Sequence, residues 1–527
     1  MRKFWSYGSP YTDLHYYVPR QELIDKAILK LVGEKSEKGG HYITIWAPRQ
    51  RGKTWIMGEV LFRLRDVPEY DAFDVVHLPL ESLKLKTNVT EIMQKITVEI
   101  LEQLGLTKTP TDLESLFKRD ILSKPLILIL DEFDALIPEA ISGIVSAFRN
   151  IHFRRYQQAN LPSGERDYLL HGVALIGVRA VLGLENKRGS PFNVQHSIHI
   201  PNLTFEEVES MFKWYERESG QQIEQAVINR VFYETQGQPG LVGWLGELLT
   251  ETYNKHNPSI TIRDFEIAYA AAVDALPNSN ILNIISKAKQ NPHKQLLLKL
   301  FQTDEKLAFR YDDPDTNFLY MNGVIDQEIE DETKRYIKFA CPFIQKRLFN
   351  YFTGEIFGQE GQLYPPFTDL SQTITENDLN IKNLLKLHEA YIHKNKDWLL
   401  QDAPRRKDLR LYEAVYHFNL YIYLDRFMRR RGGQVWPEFP TGNGQVDLII
   451  RYAGKEYALE VKSFVDDYEY NKGLDQAARY GKKLKLKEVT LVLFIEQVDE
   501  ANRKKYETIH TDEDTGITVE PVFVVTG

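Results

Sequence analysis

Three short, largely apolar runs stand out in the first third of the chain. Residues 41–46 lead into a loop with two arginines and one glycine, and residues 125–130 end at two acidic residues. Residues 171–178 form a third run of the same kind. Short apolar runs without alternation predict strands that are buried on both faces of a parallel sheet. The pattern therefore predicts an α/β domain at the front of the chain.

The last quarter of the chain alternates between apolar and charged positions. In residues 457–463 the alternation predicts a strand with Glu460 and Lys462 on one face. A two-residue turn at 453–454 would place Asp447 directly across from Glu460 on that face. Two adjacent acids repel unless a cation lies between them, and Mg²⁺ prefers hard oxygen ligands. The hairpin thus predicts a metal site; the alternative is a surface hairpin whose charges are solvated or paired with each other.

Further elements are predicted on either side of this hairpin. Upstream, Glu413 lies in the middle of an apolar stripe at helical spacing, where a carboxylate needs a partner. Downstream, Gln476 and Tyr480 are one helical turn apart, and residues 488–495 predict another core strand. The stripe consists of Leu409, Tyr416, Leu420, Leu424 and Phe427.

The loop after the first apolar run has the composition of a phosphate-binding loop. It stands between a predicted strand and a predicted helix, which is the context that such a motif requires. Its backbone amides would cradle phosphate, Lys53 would reach the β- and γ-phosphates, and Thr54 would ligate Mg²⁺. The loop residues are Ala47, Pro48, Arg49, Gln50, Arg51, Gly52, Lys53 and Thr54, with alanine where the first glycine usually stands.

The two acids after the second run would complete a nucleotide site. Asp131 is expected to bind Mg²⁺ through water, and Glu132 to position or activate the attacking water. Arg179, at the tip of the third run, suits a sensor of the γ-phosphate, although a surface arginine in a salt bridge is an alternative. Candidates for an arginine finger on a neighbouring subunit are Arg154, Arg155 and Arg188.

The front of the chain resembles the AAA-like, STAND-related P-loop ATPases of bacteria and archaea. The resemblance covers roughly residues 15–350 and implies a nucleotide switch that takes ATP and Mg²⁺. In that family a GxP-type element begins a helical segment near the nucleotide, and here it corresponds to residues 237–239. A capping box from Thr204 to Glu207 opens an earlier helix. The segments that carry the resemblance are residues 17–20, 47–54, 190–193 and 235–240.

The C-terminal hairpin resembles the core of the PD-(D/E)xK nucleases, with Asp447 as the first acid and residues 460–462 as the ExK element. The resemblance implies metal-assisted hydrolysis of phosphodiester bonds. Asp447, Glu460 and the carbonyl of Val461 would hold Mg²⁺ or Mn²⁺, and Lys462 would orient or deprotonate the attacking water. The family's glutamate on the first helix and its QxxxY element correspond to Glu413, Gln476 and Tyr480.

These parts predict an α/β multidomain protein with a P-loop (ASCE-type) parallel-sheet ATPase, a winged-helix or helical middle, and a C-terminal α/β PD-(D/E)xK restriction-endonuclease-like domain. The predicted domains are residues 1–240, 241–352 and 377–527, and a linker rich in glycine, proline and polar residues occupies 353–376. Residues 318–320 and 336–339 predict a strand pair in the middle domain. That domain could be a structural lid as readily as a DNA-binding module.

Composition and charge limit the binding partners and the cellular compartment that we expect. The formal net charge is −8, so the chain as a whole is no obvious nucleic-acid binder. Basic clusters at residues 405–410, 426–431 and 482–487 could grip phosphates or be solvated faces. The single cysteine, Cys341, fits a reducing cytoplasm, and no residue spacing suggests zinc. No apolar run approaches the length of a membrane span, so we expect neither a signal peptide nor a membrane partner.

Together, these features predict a cytoplasmic, ATP-regulated, Mg²⁺-dependent DNA nuclease that works as a homo-oligomer or with a partner protein; RNA is not excluded as a substrate. The combination of switch and effector resembles prokaryotic antiviral defence proteins and, less closely, repair or mobile-element nucleases. One alternative is an ATP-dependent signalling or nucleic-acid-binding switch with a non-catalytic nuclease-like domain. Another is an active nuclease that uses ATP for assembly with little turnover.

Overall fold

The protein divides into two compact units. The structure is a computed structural model, and it describes residues 1–6, 11–177, 197–302, 306–357, 362–399, 413–438 and 447–527. The N-terminal unit comprises residues 1–272 and 321–323, and the C-terminal unit comprises residues 273–320 and 324–527. The domain boundaries predicted at residues 240, 352 and 376 stay predictions.

A parallel sheet forms the centre of the N-terminal unit. Its strands are β1 Tyr42–Trp46, β2 Asp74–Pro79, β3 Leu126–Asp131, β4 Leu170–Gly177 and β5 Ser197–His199. They lie in the order β2-β3-β4-β1-β5, and every pairing is parallel. Strand β4 therefore separates β1, which leads into the phosphate-binding loop, from β3, which ends at the two acids. The predicted parallel-sheet P-loop fold is confirmed.

Helices cover both faces of this sheet, which explains why its central strands β1, β3 and β4 are largely apolar. The described helices are α1 Gln21–Val32, α2 Lys53–Asp66, α3 Val89–Leu104, α4 Leu113–Leu116, α5 Pro138–Gln157, α6 Phe205–Ser219, α7 Gln225–Thr235, α8 Pro239–Glu247 and α9 Ile262–Asp274. One core packs α3 and α5 on the sheet, and a second core packs α1 and α2 on the opposite face. A short two-stranded sheet joins β6 Gln222–Ile223 to β7 Ser259–Ile260. The predicted capping box at α6 is confirmed, because the side chains of Thr204 and Glu207 accept each other's backbone amides.

A six-stranded mixed sheet dominates the C-terminal unit, with the order β10-β11-β12-β13-β15-β14. A separate antiparallel pair consists of β8 Ile325–Ile329 and β9 Arg335–Phe339. The strands of the six-stranded sheet are β10 Gln434–Glu438, β11 Asp447–Tyr452, β12 Lys455–Ser463, β13 Glu488–Ile495, β14 His510–Thr511 and β15 Thr518–Val525. The helices are α10 Ser279–Ala288, α11 His293–Gln302, α12 Pro314–Met321, α13 Pro342–Ile356, α14 Ile381–Leu399, α15 Glu413–Arg429, α16 Asp467–Leu484 and α17 Glu500–Tyr506. Across all described helices of the chain, none is long and apolar enough to cross a lipid bilayer.

The predicted hairpin of β11 and β12 has the expected turn. Ala453 and Gly454 connect the strands with φ values of 50° and 76°, a left-handed pair that suits a two-residue hairpin turn. Leu448 pairs with Leu459, and Asp447, the residue before Leu448, pairs with Glu438 of β10. Strand β12 then pairs in parallel with β13, which spans the predicted residues 488–495.

One predicted strand is a helix. Residues 318–320 lie in α12, and the partner of β9 is β8. The Asp313 carboxylate accepts the backbone amide of Thr316 at 2.8 Å, and Pro314 occupies the first helical position. Both features favour the start of a helix. The aromatic content of residues 318–320 predicted a strand, and the local helix start overrides that preference.

Two histidines of the C-terminal unit, His388 and His417, are buried. Burial lowers the pKa of His388 to about 4, against a smaller opposing effect of its hydrogen bond to Asn419. Burial lowers the pKa of His417 to about 3, and the nearby Lys462 lowers it further. Because both rings are neutral when folded but titrate near 6.5 when unfolded, the unfolded chain binds more protons below that pH.

We therefore expect the free energy of unfolding to fall as the pH drops from about 6.5 toward 4, by at most roughly 3 kcal/mol for each histidine. Calorimetric melting between pH 7.5 and 4.5 would measure the effect. In the variant His388→Gln/His417→Gln, the slope of the melting temperature against pH should flatten, even though the variant is less stable throughout. An unchanged slope would contradict this assignment.

Candidate functional site

The phosphate-binding loop joins β1 to α2 and holds the lysine of the motif inside the protein. The Lys53 ammonium donates to the carbonyls of Ala47 at 2.9 Å and of Pro48 at 3.1 Å. Burial lowers the pKa of Lys53, and the carboxylates of Glu132, Asp134 and Asp131 oppose that shift. The lysine therefore sits at the loop with its charge balanced by neighbouring acids.

The shape of the loop depends on two residues with positive φ. Gln50 has φ 57° and Gly52 has φ 86°, and Gly52 immediately precedes α2. This conformation turns the chain so that α2 begins at Lys53 and the exposed Thr54 follows in its first turn. A helix N-terminus of this kind presents backbone amides to an anion.

The two acids at the end of β3 adopt different environments. Asp131 is buried, and its Oδ1 accepts the backbone amide of Glu132 at 2.8 Å. Glu132 has φ 53°, a strained conformation for a non-glycine residue. Burial raises the pKa of the Glu132 carboxyl, while Lys53 acts in the opposite direction. A carboxylate with a raised pKa is better suited to accept a proton from water than an ordinary surface glutamate.

Two further residues beside these acids were missed by sequence reasoning. His77 Nε2 lies 3.9 Å from Asp131 Oδ2, because β2 pairs with β3 and sets His77 beside Ile129, two residues before Asp131. Asp134 comes so close to the tip of β4 that a Cβ on Gly177 would lie 2.5 Å from its Oδ1. Both residues come near the acids because β2, β3 and β4 are neighbours in the sheet, and the sequence alone does not give the order of the strands.

The second candidate site lies on the C-terminal hairpin. Glu460 is 3% exposed and Lys462 is 6% exposed, and Lys462 Nζ lies 3.3 Å from Glu460 Oε1. Their register partners on β13 are Leu491 and Leu493. Both leucines belong to the core under α16, so the ion pair is on the α16 side of the sheet.

Helix α16 is shaped to admit the lysine. A Cβ on Gly473 would lie 3.2 Å from Lys462 Cδ, so the glycine leaves room for the lysine side chain. Three residues further along, Gln476 Oε1 is enclosed and has no hydrogen-bond partner among the described residues, while Tyr480 is buried. Sequence reasoning missed Gly473 because its role depends on the side chain of Lys462, which comes from β12 and not from the sequence around Gly473.

Several predicted site residues lie wholly or partly outside the described residues. Arg179 and Arg188 lie outside the described residues, as do residues 190–193 and the basic cluster at 405–410. The side chains of Glu413 and Asp447 also lie outside the description, although their backbone positions in α15 and β11 are within it. Among the side chains that are described, no three histidine, cysteine or acidic groups come together in a way that could hold a metal ion.

Comparison with known proteins settles the class of the front half. Residues 7–252 match the sequence model of the AAA-like domain family. The N-terminal part of the chain is an AAA-like P-loop ATPase domain. No curated protein matches the chain in sequence.

Three solved structures are among those to which the chain is similar. The Walker-type ATPase PABY2304 of Pyrococcus abyssi is 12% identical, with a TM-score of 0.43 over 66% of this chain and 99% of that one. The ORC1 protein of Aeropyrum pernix, solved with DNA, is 15% identical, with a TM-score of 0.33 over 63% and 93%. The RuvB Holliday junction branch migration motor of Thermotoga maritima is 11% identical, with a TM-score of 0.33 over 61% and 92%.

In the AAA-like domain, the GxP-type element contacts the phosphate-binding loop. Gln238 Nε2 donates to the carbonyl of Arg49 at 3.4 Å, and the backbone amide of Gly240 donates to the carbonyl of Gln50 at 3.1 Å. Pro239 opens α8, as expected for a helix that begins at this element. We call helices α6 to α8 the lid helices, and through the start of α8 they contact the loop directly.

Some of the arginines predicted as fingers or as phosphate-binding groups make contacts within the protein. Arg155 is buried and donates to Ser163 Oγ at 2.7 Å and to the carbonyl of Tyr168, so it is not available as a finger. Arg429 pairs with Asp425 at 2.8 Å, and Arg431 lies over the ring of Phe427. By contrast, the lysines at 482, 483, 485 and 487 are exposed at the end of α16 and in the following turn.

Proposed function

We propose that the protein is an ATP-regulated, Mg²⁺-dependent nuclease that hydrolyses phosphodiester bonds in DNA. The observation that carries the proposal is the buried ion pair of Glu460 and Lys462 on β12, beside β11, where Asp447 directly precedes the paired residue Leu448. Burial of two charges costs free energy, which a hairpin without a chemical role would avoid by leaving them in water. The pair is therefore better explained by a reaction than by stability.

The order of elements around the pair supports the same interpretation. Helix α15 precedes the antiparallel strands β10, β11 and β12, and α16 then leads to β13, which is parallel to β12. This is the succession on which the resemblance to the PD-(D/E)xK core rests. Glu413 begins the described part of α15, and Gln476 and Tyr480 lie on α16.

In the proposed mechanism, the oxygens of Asp447, Glu460 and the Val461 carbonyl would hold Mg²⁺, and hard oxygen donors fit that ion. When bound, the ion would polarise the scissile phosphate and make water more acidic. Lys462 would orient the attacking water and offset the negative charge that develops on the phosphate. Glu460 keeps the Lys462 ammonium in place until the substrate arrives.

The AAA-like domain would supply the regulation. Lys53 and the loop amides would bind the β- and γ-phosphates, Thr54 and Asp131 would hold the accompanying Mg²⁺, and Glu132 would position water for hydrolysis. Arg179 is proposed as the sensor of the γ-phosphate. Assembly as a homo-oligomer or with a partner protein, and a role in antiviral defence, are proposed on the resemblance alone.

A nuclease assay on the purified full chain tests the proposal. Supercoiled, linear and single-stranded DNA and RNA would be incubated with Mg²⁺ or Mn²⁺, with and without ATP. We expect Mg²⁺-dependent loss of DNA that ATP speeds or slows, that disappears in Asp447→Asn, and that persists in the matched control Asp475→Asn, an exposed acid on α16.

The alternative is a switch whose C-terminal unit only binds nucleic acid. The existing ion pair gives this alternative a basis, since Lys462 already neutralises Glu460. Intact DNA and RNA under every metal and nucleotide condition, together with a gel shift of the same substrates, would favour it over the nuclease.

A further inference from the structure

The first six residues form a strap across the lid helices of the AAA-like domain. The strap, residues 1–6, precedes the segment that matches the AAA-like family, which begins at residue 7. Its backbone is tied to the chain that follows, because the amide of Lys3 donates to the carbonyl of Leu14 at 2.9 Å and the amide of Tyr16 donates to the carbonyl of Lys3 at 3.0 Å. Arg2 Nη1 and Glu218 Oε1 are 2.6 Å apart, and Lys3 Nζ and Glu251 Oε2 are 3.1 Å apart.

The strap is anchored by one aromatic side chain. Phe4 is 1% exposed, and its ring centroid is 4.8 Å from that of Phe212 on α6. It fits there because α8 carries a glycine at the contact: a Cβ on Gly246 would lie 2.4 Å from Phe4 Cδ1. A Cβ on Gly243 would lie 2.1 Å from the carbonyl oxygen of Trp5. Two glycines on one face of α8 thus form the seat of the strap.

The end of the strap reaches the phosphate-binding loop. The Ser6 carbonyl accepts Gln50 Nε2 at 3.4 Å, and Ser6 Oγ donates to Glu247 Oε2 at 3.4 Å. Gln50 also packs on the lid, since a Cβ on Gly240 would lie 2.4 Å from Gln50 Oε1. One loop residue is therefore wedged between the strap and the N-terminus of α8.

The backbone conformation of Gln50 depends on these contacts. Its φ of 57° is unfavourable for a side-chain-bearing residue, and such conformations persist where the surroundings hold them. Without those contacts the loop would have to be ordered when nucleotide binds, and the ordering would lower affinity. The contacts of Gln50 belong to the strap and to the lid.

We propose that the strap is a positioning element for nucleotide binding: it acts through Gln50, a positioning residue, to keep the phosphate-binding loop in its binding conformation and in contact with the lid. Displacement of the strap would not remove Lys53 or Thr54 from the site. It would loosen the backbone of the loop that holds both residues in their binding positions.

The test uses the full chain and a fluorescent ADP, N-methylanthraniloyl-ADP, as the probe. Gly246→Ala should expel Phe4 and weaken nucleotide binding about tenfold, within the usual range of coupling between sites. Gly58→Ala is the matched control, because a Cβ there meets nothing within 4 Å, and its affinity should equal that of the wild type.

A double-mutant cycle separates action through Gln50 from general damage. Gln50→Ala should weaken binding on its own, and adding Gly246→Ala should weaken it no further. Independent, multiplying losses would overturn the proposal, as would a lowered melting temperature of Gly246→Ala with unchanged affinity. Failure of the wild type to bind the probe would instead count against the nucleotide site itself.

Discussion

Replacing Lys462 by methionine is expected to reduce metal-dependent DNA cleavage by about 10³-fold, the scale of a lost group that aligns water and stabilises charge in the transition state. Methionine keeps most of the length of the side chain beside Gly473 but cannot donate a proton or carry charge. Initial rates of cleavage of a labelled linear duplex at saturating Mg²⁺ would measure the loss. Lys472→Met, at a half-exposed lysine of α16 that pairs with Glu469, is the matched control and should retain the wild-type rate.

Loss of structure must be separated from loss of chemistry in this variant. Without Lys462 the Glu460 carboxylate is buried without its partner, a change that typically costs about 3–5 kcal/mol of stability. The double variant Glu460→Gln/Lys462→Met removes both charges and should recover much of that stability while staying inactive. Recovery of cleavage in the double variant would show that Lys462 serves the fold alone.

Local sequence patterns were sufficient to predict the strands that frame both candidate sites. The continuous apolar runs identified β1, β3 and β4, because a strand between two helical layers has no polar face. The alternation of residues 457–463 and the turn at Ala453-Gly454 together defined the hairpin and its register. In each case the information lies within a few residues of the element that it specifies.

Contacts between distant parts of the chain were not predictable in the same way. Phe4 is anchored by a glycine on α8, and Lys462 is admitted by a glycine on α16, and neither glycine has a distinctive sequence context. His77 reaches Asp131 only because β2 lies beside β3. The error at residues 318–320 had a different cause, since the signals for a helix start at Asp313 and Pro314 were present in the sequence.

Substitutions at Lys53 and Glu132 are expected to separate nucleotide binding from hydrolysis. Lys53→Ala removes the charge that would meet the β- and γ-phosphates, and loss of one partner from a buried charge contact should weaken ATP binding by about 10²-fold. Glu132→Gln keeps the shape of the side chain but removes the base, so ATP should still bind while hydrolysis falls by about 10²- to 10³-fold. Equilibrium binding of labelled ATP and release of phosphate would measure the two effects.

The same pair of variants decides how the nucleotide controls the proposed nuclease. If the ATP-bound state sets the cleavage rate, Glu132→Gln should hold the nuclease in that state after ATP is added, and Lys53→Ala should behave like the wild type without nucleotide. If turnover is required instead, both variants should resemble the nucleotide-free wild type. A nuclease that cuts DNA at one rate in the wild type and both variants, with or without ATP, would contradict regulation by the AAA-like domain.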